Sequence, residues 1–169
     1  MKKKYQIRFV AFFVLLMLAG QFLYYLSKSK IEPILIERMN VSVSVKLLNY
    51  FSPDLSIVQK GRNINSNSIR MTVAAGCDGM DGLLIAVAAI LAFPMAWRYK
   101  LNGLVMGTLV IYLTNLLRIV LLFYILLNTP KWFDFFHIYV GQFMVIFAGG
   151  LFFLFWVSRY GTRKDSVND

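Results

Sequence analysis

The sequence predicts an all-α integral membrane protein. Four transmembrane helices are expected, with a small extracytoplasmic amphipathic helix and a β-hairpin flap between spans one and two. Three observations carry this expectation. Of the 169 residues 59% are apolar, and the mean hydropathy is +0.63, well above the composition of an ordinary soluble domain. The apolar residues gather into four runs, each of a length suited to about 30 Å of hydrocarbon. The basic residues cluster at the ends of those runs, where charges orient spans relative to the cytoplasm. Length alone fits a single domain, residues 1–169.

Span one is expected over residues 9–26. Lys2, Lys3, Lys4 and Arg8 precede it, and the run contains one polar residue, Gln21. The run is long for a signal-peptide core, and no small-x-small cleavage pattern follows it, so a retained helix is expected. Residues 28–76 form the outer flap region, the one sizeable polar stretch. Within it, Pro33 to Phe51 reads as an amphipathic helix on the bilayer surface, with Pro33 in its first turn. Val41-Ser-Val-Ser-Val45 also alternates with period two, which makes a strand the rival there. Ser52-Pro53-Asp54 marks a turn. The stretches 55–59, 62–65 and 69–73 then read as strands around Lys60-Gly61, giving a hairpin or a three-stranded flap.

Spans two, three and four are expected at about 79–97, 101–127 and 137–157. With the N-terminus inside, residues 1–8, the loop 98–100 and the tail 158–169 lie in the cytoplasm. Those segments hold Lys2, Lys3, Lys4, Arg8, Arg98, Lys100, Arg159, Arg163 and Lys164, against Lys131 and Asp134 in the outer loop 128–136. That asymmetry follows the positive-inside rule. Lys28 and Lys30 lie just outside span one, which a long translocated loop tolerates.

The net charge of +10 does not indicate nucleic-acid binding, because the cations are distributed as topology signals rather than as one face. A single cysteine excludes an intramolecular disulfide and a cysteine metal framework. No metal or cofactor is expected. Asp78 and Asp81 form a carboxylate pair at the start of span two, yet acidic residues at a helix N-terminus are favourable without a ligand. Gly103 and Gly107 make a G-x-x-x-G, which serves close packing within the chain or dimerisation equally well.

The candidate site begins with Cys77, in Met71-Thr-Val-Ala-Ala-Gly-Cys-Asp-Gly-Met-Asp-Gly82. Gly76 and Gly79 remove bulk around it, and the following helix N-terminus favours a thiolate. Arg118 lies seventeen residues beyond Leu101 in span three, roughly 25 Å along a helix that runs from inside to outside. His137, the only histidine, opens span four on the outer side. Each has a bland reading: an inert packed thiol, an interfacial imidazole, a snorkelling guanidinium between Leu117 and Ile119. All three nonetheless fall at one depth on separate spans. Asn115, one turn before Arg118, is placed to hold the guanidinium or to support substrate binding.

Such a set suits acyl transfer through a thioester. Cys77 would be the nucleophile, ionised by its position and a basic neighbour. His137 would move the proton, and Arg118 would stabilise the thiolate or the oxyanion. The division of roles between Arg118 and His137 stays open at this level.

The pattern Gly76-Cys-Asp-Gly79 opening a helix, then Asn115-Leu-Leu-Arg118-Ile, then Phe136-His137, resembles the exosortase/archaeosortase family. The flap with its Gly61 turn and Ala92-Phe-Pro94 also look like that family, and the likeness runs from about residue 33 to 157. The resemblance implies a membrane-embedded cysteine transpeptidase at the outer face of a prokaryotic plasma membrane. Its catalytic positions match Cys77, Arg118 and His137. Its substrates would be exported proteins with a C-terminal sorting tail of motif, transmembrane helix and basic cluster, the PEP-CTERM kind, passed on to an acceptor. One apolar run precedes the shared unit, so the chain is similar to the short members such as the exosortase H group. The competing expectation is a non-catalytic membrane subunit whose flap binds a partner and whose thiol is incidental.

Overall fold

The computed structural model describes residues 3–74 and 76–161. Lys2 and the basic tail residues Arg163 and Lys164 lie outside the described residues. Helix α1 (Lys3–Glu32) continues without a break through wider π-helical turns at Pro33–Val41 into α2 (Ser42–Phe51). The expected surface helix is therefore an extension of the first span rather than a separate element. Proline has no N–H to donate to the preceding turn, and the change in hydrogen-bond register begins at Pro33. The strand alternative at residues 41–45 is not realised. Burial of Ile36, Asn40, Val41, Ser44 and Leu48 follows a helical stripe, and a stripe of that spacing can be covered only if the segment is helical.

After a short 3₁₀ turn at Pro53–Leu55 the flap is a three-stranded antiparallel sheet, β1 (Val58–Lys60), β2 (Asn63–Asn65) and β3 (Arg70–Thr72), with β2 central. Gln59 pairs with Ile64, and Ile64 with Met71. Gly61 turns the first hairpin at φ +59°, a left-handed conformation that costs a side chain about 1–2 kcal/mol. Asn49 of α2 secures the start of the sheet by donating to the Ile57 carbonyl at 2.7 Å and accepting from the Ile57 N–H at 2.9 Å. An ion pair between Arg62 and Glu32, at 2.8 Å, joins the hairpin turn to the end of α1.

The flap has its own apolar core. Ile36, Val41, Leu48, Ile57, Ile64, Met71 and Val73 pack on Ile119, Leu122 and Phe123 of α4 (Trp97–Asn128). Side chains of this kind contribute about 1.5–3 kcal/mol each when withdrawn from water. The polar flap is thus anchored on the far end of a membrane helix.

Among the described residues three helical stretches are long and apolar enough to cross a membrane: Gln6–Phe51, Trp97–Asn128 and Pro130–Tyr160. The fourth apolar segment, α3 (Met80–Ala92), has 13 residues, about 20 Å at 1.5 Å per residue. Its expected boundary at residue 97 moves back because Pro94 disfavours helical geometry in the residue before it, and Phe93 is extended at φ −69°, ψ 132°. The basic loop expected at 98–100 becomes the first turn of α4. The last stretch comprises a 3₁₀ turn at Pro130–Trp132, α5 (Phe133–Phe135), π-helical turns at Phe136–Val140 and α6 (Gly141–Tyr160).

α3 packs against α1, α4 and α6, and α4 packs along α6. Lipid is as apolar as leucine, so membrane helices associate through close contact at small residues. A Cβ at Gly82 would stand 2.6 Å from Val145, and one at Gly103 would stand 2.6 Å from Trp156. Gly107 likewise faces Phe152 and Ile90. The G-x-x-x-G of α4 is therefore filled by α6 and α3 of the same chain.

Candidate functional site

Cys77 lies in the glycine-flanked turn between β3 and α3. Gly76 and Gly79 have φ of +89° and +80°, so the chain reverses sharply on both sides of the thiol. The Cys77 N–H donates to the Ala74 carbonyl at 3.1 Å. Asp78 caps the start of α3: its Oδ1 accepts from the Met80 N–H at 3.2 Å, and its other oxygen accepts from the Tyr24 hydroxyl of α1. Asp81 accepts from Gln21, one helical turn before Tyr24, at 3.0 Å. The two carboxylates thus tie the N-terminus of α3 to α1.

Three separate elements meet at the thiol. His137, on the π-helical turns before α6, places Nε2 3.8 Å from Cys77 Sγ. Its ring stacks on Phe133 with the planes 4° apart, and that contact fixes the imidazole edge presented to sulfur. Arg118 of α4 places Nη2 3.9 Å from Sγ and 3.4 Å from the His137 carbonyl. It is 4% exposed, so it does not snorkel. Leu117 faces outward in its place, while Ile119 is buried. Among the described residues Arg118 has no carboxylate within ion-pair distance, its Nε is buried without a partner, and so is His137 Nδ1. A buried guanidinium without a counter-ion is costly, and its donors point at the place where negative charge would form on sulfur.

Asn115 sits beside these groups without touching the guanidinium. It is 1% exposed, and its Nδ2 donates to the Cys77 carbonyl at 3.1 Å and to Asn40 Oδ1 at 3.2 Å. Asn40 also donates to the carbonyls of Leu35 and Asp78, at 3.0 and 3.3 Å. Asn40 is a site residue that sequence reading missed. It lies within the expected Pro33–Phe51 helix, and its role comes from Asp78 and Asn115, which the fold brings opposite it. Gly141 is the other. A Cβ there would stand 2.6 Å from Arg118 Nε, so its missing side chain makes the slot for the guanidinium.

The ionisation expected from position and a basic neighbour is opposed by burial. Burial pushes the Cys77 thiol above its ordinary value, Arg118 opposes that, and Asp78 reinforces it. Desolvation of a thiolate outweighs one cation at 3.9 Å. His137, with Nε2 3.8 Å from the sulfur, is the neighbouring base placed to take its proton.

Below the site a half-open cavity of about 330 Å³ lies between the Leu35–Asn40 turns, the start of α3 and α4. Leu35, Met39, Leu83, Leu109 and Ile111 line it, and Asn40, Asp78 and Asn115 cap it.

Fold and site together define a multi-pass helical membrane protein with a thiol, an imidazole and a guanidinium drawn from three separate segments. A family model described as transmembrane exosortase matches residues 3–156, and the chain belongs to that family. No curated protein and no solved structure matches the chain.

Proposed function

We propose that the protein is a membrane-embedded cysteine transpeptidase that processes exported proteins at the outer face of a prokaryotic plasma membrane. The observation that carries this reading is the meeting of Cys77 Sγ with His137 Nε2 at 3.8 Å and Arg118 Nη2 at 3.9 Å. Family membership supports the reaction class.

The substrate is an exported protein whose C-terminal tail carries a sorting motif, a transmembrane helix and a basic cluster. His137 removes the proton from the Cys77 thiol as sulfur attacks the scissile carbonyl carbon. The carbonyl oxygen becomes an oxyanion, and Arg118, charged at any working pH, stabilises it. When the C–N bond breaks, the proton on His137 passes to the leaving amine. The tail departs and the exported portion remains as a thioester on Cys77. An acceptor nucleophile, giving its proton to His137, then attacks the thioester carbonyl and restores the thiol. Asn115 acts in support, through the Cys77 carbonyl.

In this proposal α3, together with the non-helical residues 93–96, serves as the second of four spans. Both termini are cytoplasmic, and the flap, Cys77 and residues 128–136 are outside. The charge asymmetry of the polar segments supports that orientation.

Co-expression with a tail-bearing substrate tests the reading. Wild-type protein is expected to shorten the substrate by the mass of its tail, and Cys77→Ala to leave it intact. Processing that survives Cys77→Ala would remove the thiol from the mechanism. Arg118→Ala and His137→Ala are expected to abolish processing while membrane insertion persists.

A further inference from the structure

The turn that carries Cys77 is poorly suited to hold its own shape. Glycines with positive φ flank it on both sides, and glycine permits more backbone conformations than any other residue. Two buried amides grip its peptide units. Asn115 Nδ2 donates to the Cys77 carbonyl at 3.1 Å, and Asn40 Nδ2 donates to the next carbonyl, that of Asp78, at 3.3 Å. The amides also bond to one another, Asn115 Nδ2 to Asn40 Oδ1 at 3.2 Å.

The network fixes which end of each amide faces the turn. Carbonyl oxygens only accept, so both asparagines must present NH₂ to it. Asn40 and Asn115 are 2% and 1% exposed, so both amides act away from bulk solvent. Gly79 completes the fit, since a Cβ there would lie 3.0 Å from Asn115 Cγ.

We propose that Asn40 and Asn115 act as one positioning clamp, which holds consecutive carbonyls of the nucleophile turn and thereby sets the place of Cys77 Sγ between His137 and Arg118. Asn115 reaches the turn from α4, three residues before Arg118, so one helix positions both the guanidinium and the backbone of the nucleophile. Asn40 reaches it from the π-helical turns that carry the flap core, which links the seating of the flap to the geometry at sulfur. Neither asparagine touches the reacting atoms. Their effect falls on turnover, because misplacing a reacting group by about 1 Å costs on the order of 100-fold. This inference rests on the transpeptidase reading for its kinetic readout only.

The test uses the full chain in membranes with a tail-bearing substrate, comparing Asn40→Ala, Asn115→Ala and the double variant. Each single variant is expected to lower kcat about 10- to 100-fold, with KM within about twofold of wild type. Residues acting as a unit are non-additive, so the double variant is expected to match the worse single one. Multiplying losses, a change confined to KM, or an unchanged kcat in Asn40→Ala would overturn the clamp. Asn40→Asp, nearly equal in volume but without a donor, is expected to lose as much as Asn40→Ala. If both Asn40 variants lose their cooperative helical melt, the residue is a packing element and the clamp fails.

A second readout needs no substrate. The rate of Cys77 alkylation by N-ethylmaleimide, followed against pH, is expected to shift in Asn40→Ala and Asn40→Asp by at least about threefold at fixed pH. Superimposable profiles would overturn the clamp even if no cleavage is found. Absence of Cys77-dependent cleavage with shifted profiles would instead overturn the transpeptidase reading and leave the clamp standing.

Discussion

Arg118 and Gly141 depend on each other. The guanidinium is buried because α6 offers no Cβ at that point, and an added methyl carbon would stand 2.6 Å from Nε. Alanine favours a helix over glycine by about 1 kcal/mol, so Gly141→Ala should keep the helix intact while expelling the guanidinium. We expect processing to fall about 10- to 100-fold with the helical circular-dichroism signal retained. Wild-type rates would show that Arg118 tolerates displacement and does not act at sulfur. The thiol offers a second test at this scale. Burial raises its pKa, and Arg118 is the largest influence holding it down. A raised value leaves less thiolate at any given pH, so Cys77 alkylation should climb with pH and half-saturate above the ordinary thiol value of about 8.5. Removing the cation in Arg118→Gln should push the midpoint higher still, and a midpoint that falls would contradict the contact. Cys77, Arg118 and His137 could be singled out in the sequence because the chain has one cysteine and one histidine, and Arg118 is the one charge within residues 101–127. Asn40 and Gly141 could not. Their importance comes from what stands opposite them in the folded chain, and that is a property of packing.

Helices α4 and α6 were legible as elements because their apolar runs are long, with the single charge Arg118 inside that of α4, whereas α3 was legible in type and not in length. Its C-terminal end is set by Pro94, and the apolar residues that follow disguise the break. The flap was readable as strands from its turn residues, but its support was not, since the Ile119–Phe123 platform lies far from it in sequence. At Gly61 a Cβ would meet nothing within 4 Å, while φ is +59°. Gly61→Ala therefore isolates the backbone cost of a left-handed turn, about 1–2 kcal/mol. Faster amide exchange confined to β1 and β2 is expected, with the membrane helices unaffected. Gly103 makes the opposite case: it lies in a helix, with Trp156 2.6 Å from the missing Cβ. Gly103→Val should pry α4 from α6 and destabilise the protein by about 1–3 kcal/mol, seen as a lower melting temperature in detergent.

For the whole molecule, orientation decides whether the site meets exported or cytoplasmic proteins. The reading that puts Cys77 outside needs α3 to carry the chain across, although a helix of 13 residues covers about 20 Å of a hydrocarbon layer near 30 Å. The non-helical residues 93–96 can make up the difference only if protein shields their backbone, because lipid leaves no unpaired N–H or C=O satisfied. Phe93 is covered there by the rings of Phe9, Phe153 and Trp156, which supplies part of that shield. Asn67, Lys131 and Arg98 are all exposed and lie in the flap, in the turn after α4 and in the first turn of α4. In a Cys77→Ala background, cysteines introduced one at a time at these positions report their side by reaction with a membrane-impermeant maleimide on intact cells. Asn67→Cys and Lys131→Cys should react at once, and Arg98→Cys only after the membrane is opened. If Asn67→Cys and Arg98→Cys react from the same side, α3 does not span. The flap and the α3–α4 connection then share a compartment, and the four-span topology fails with them.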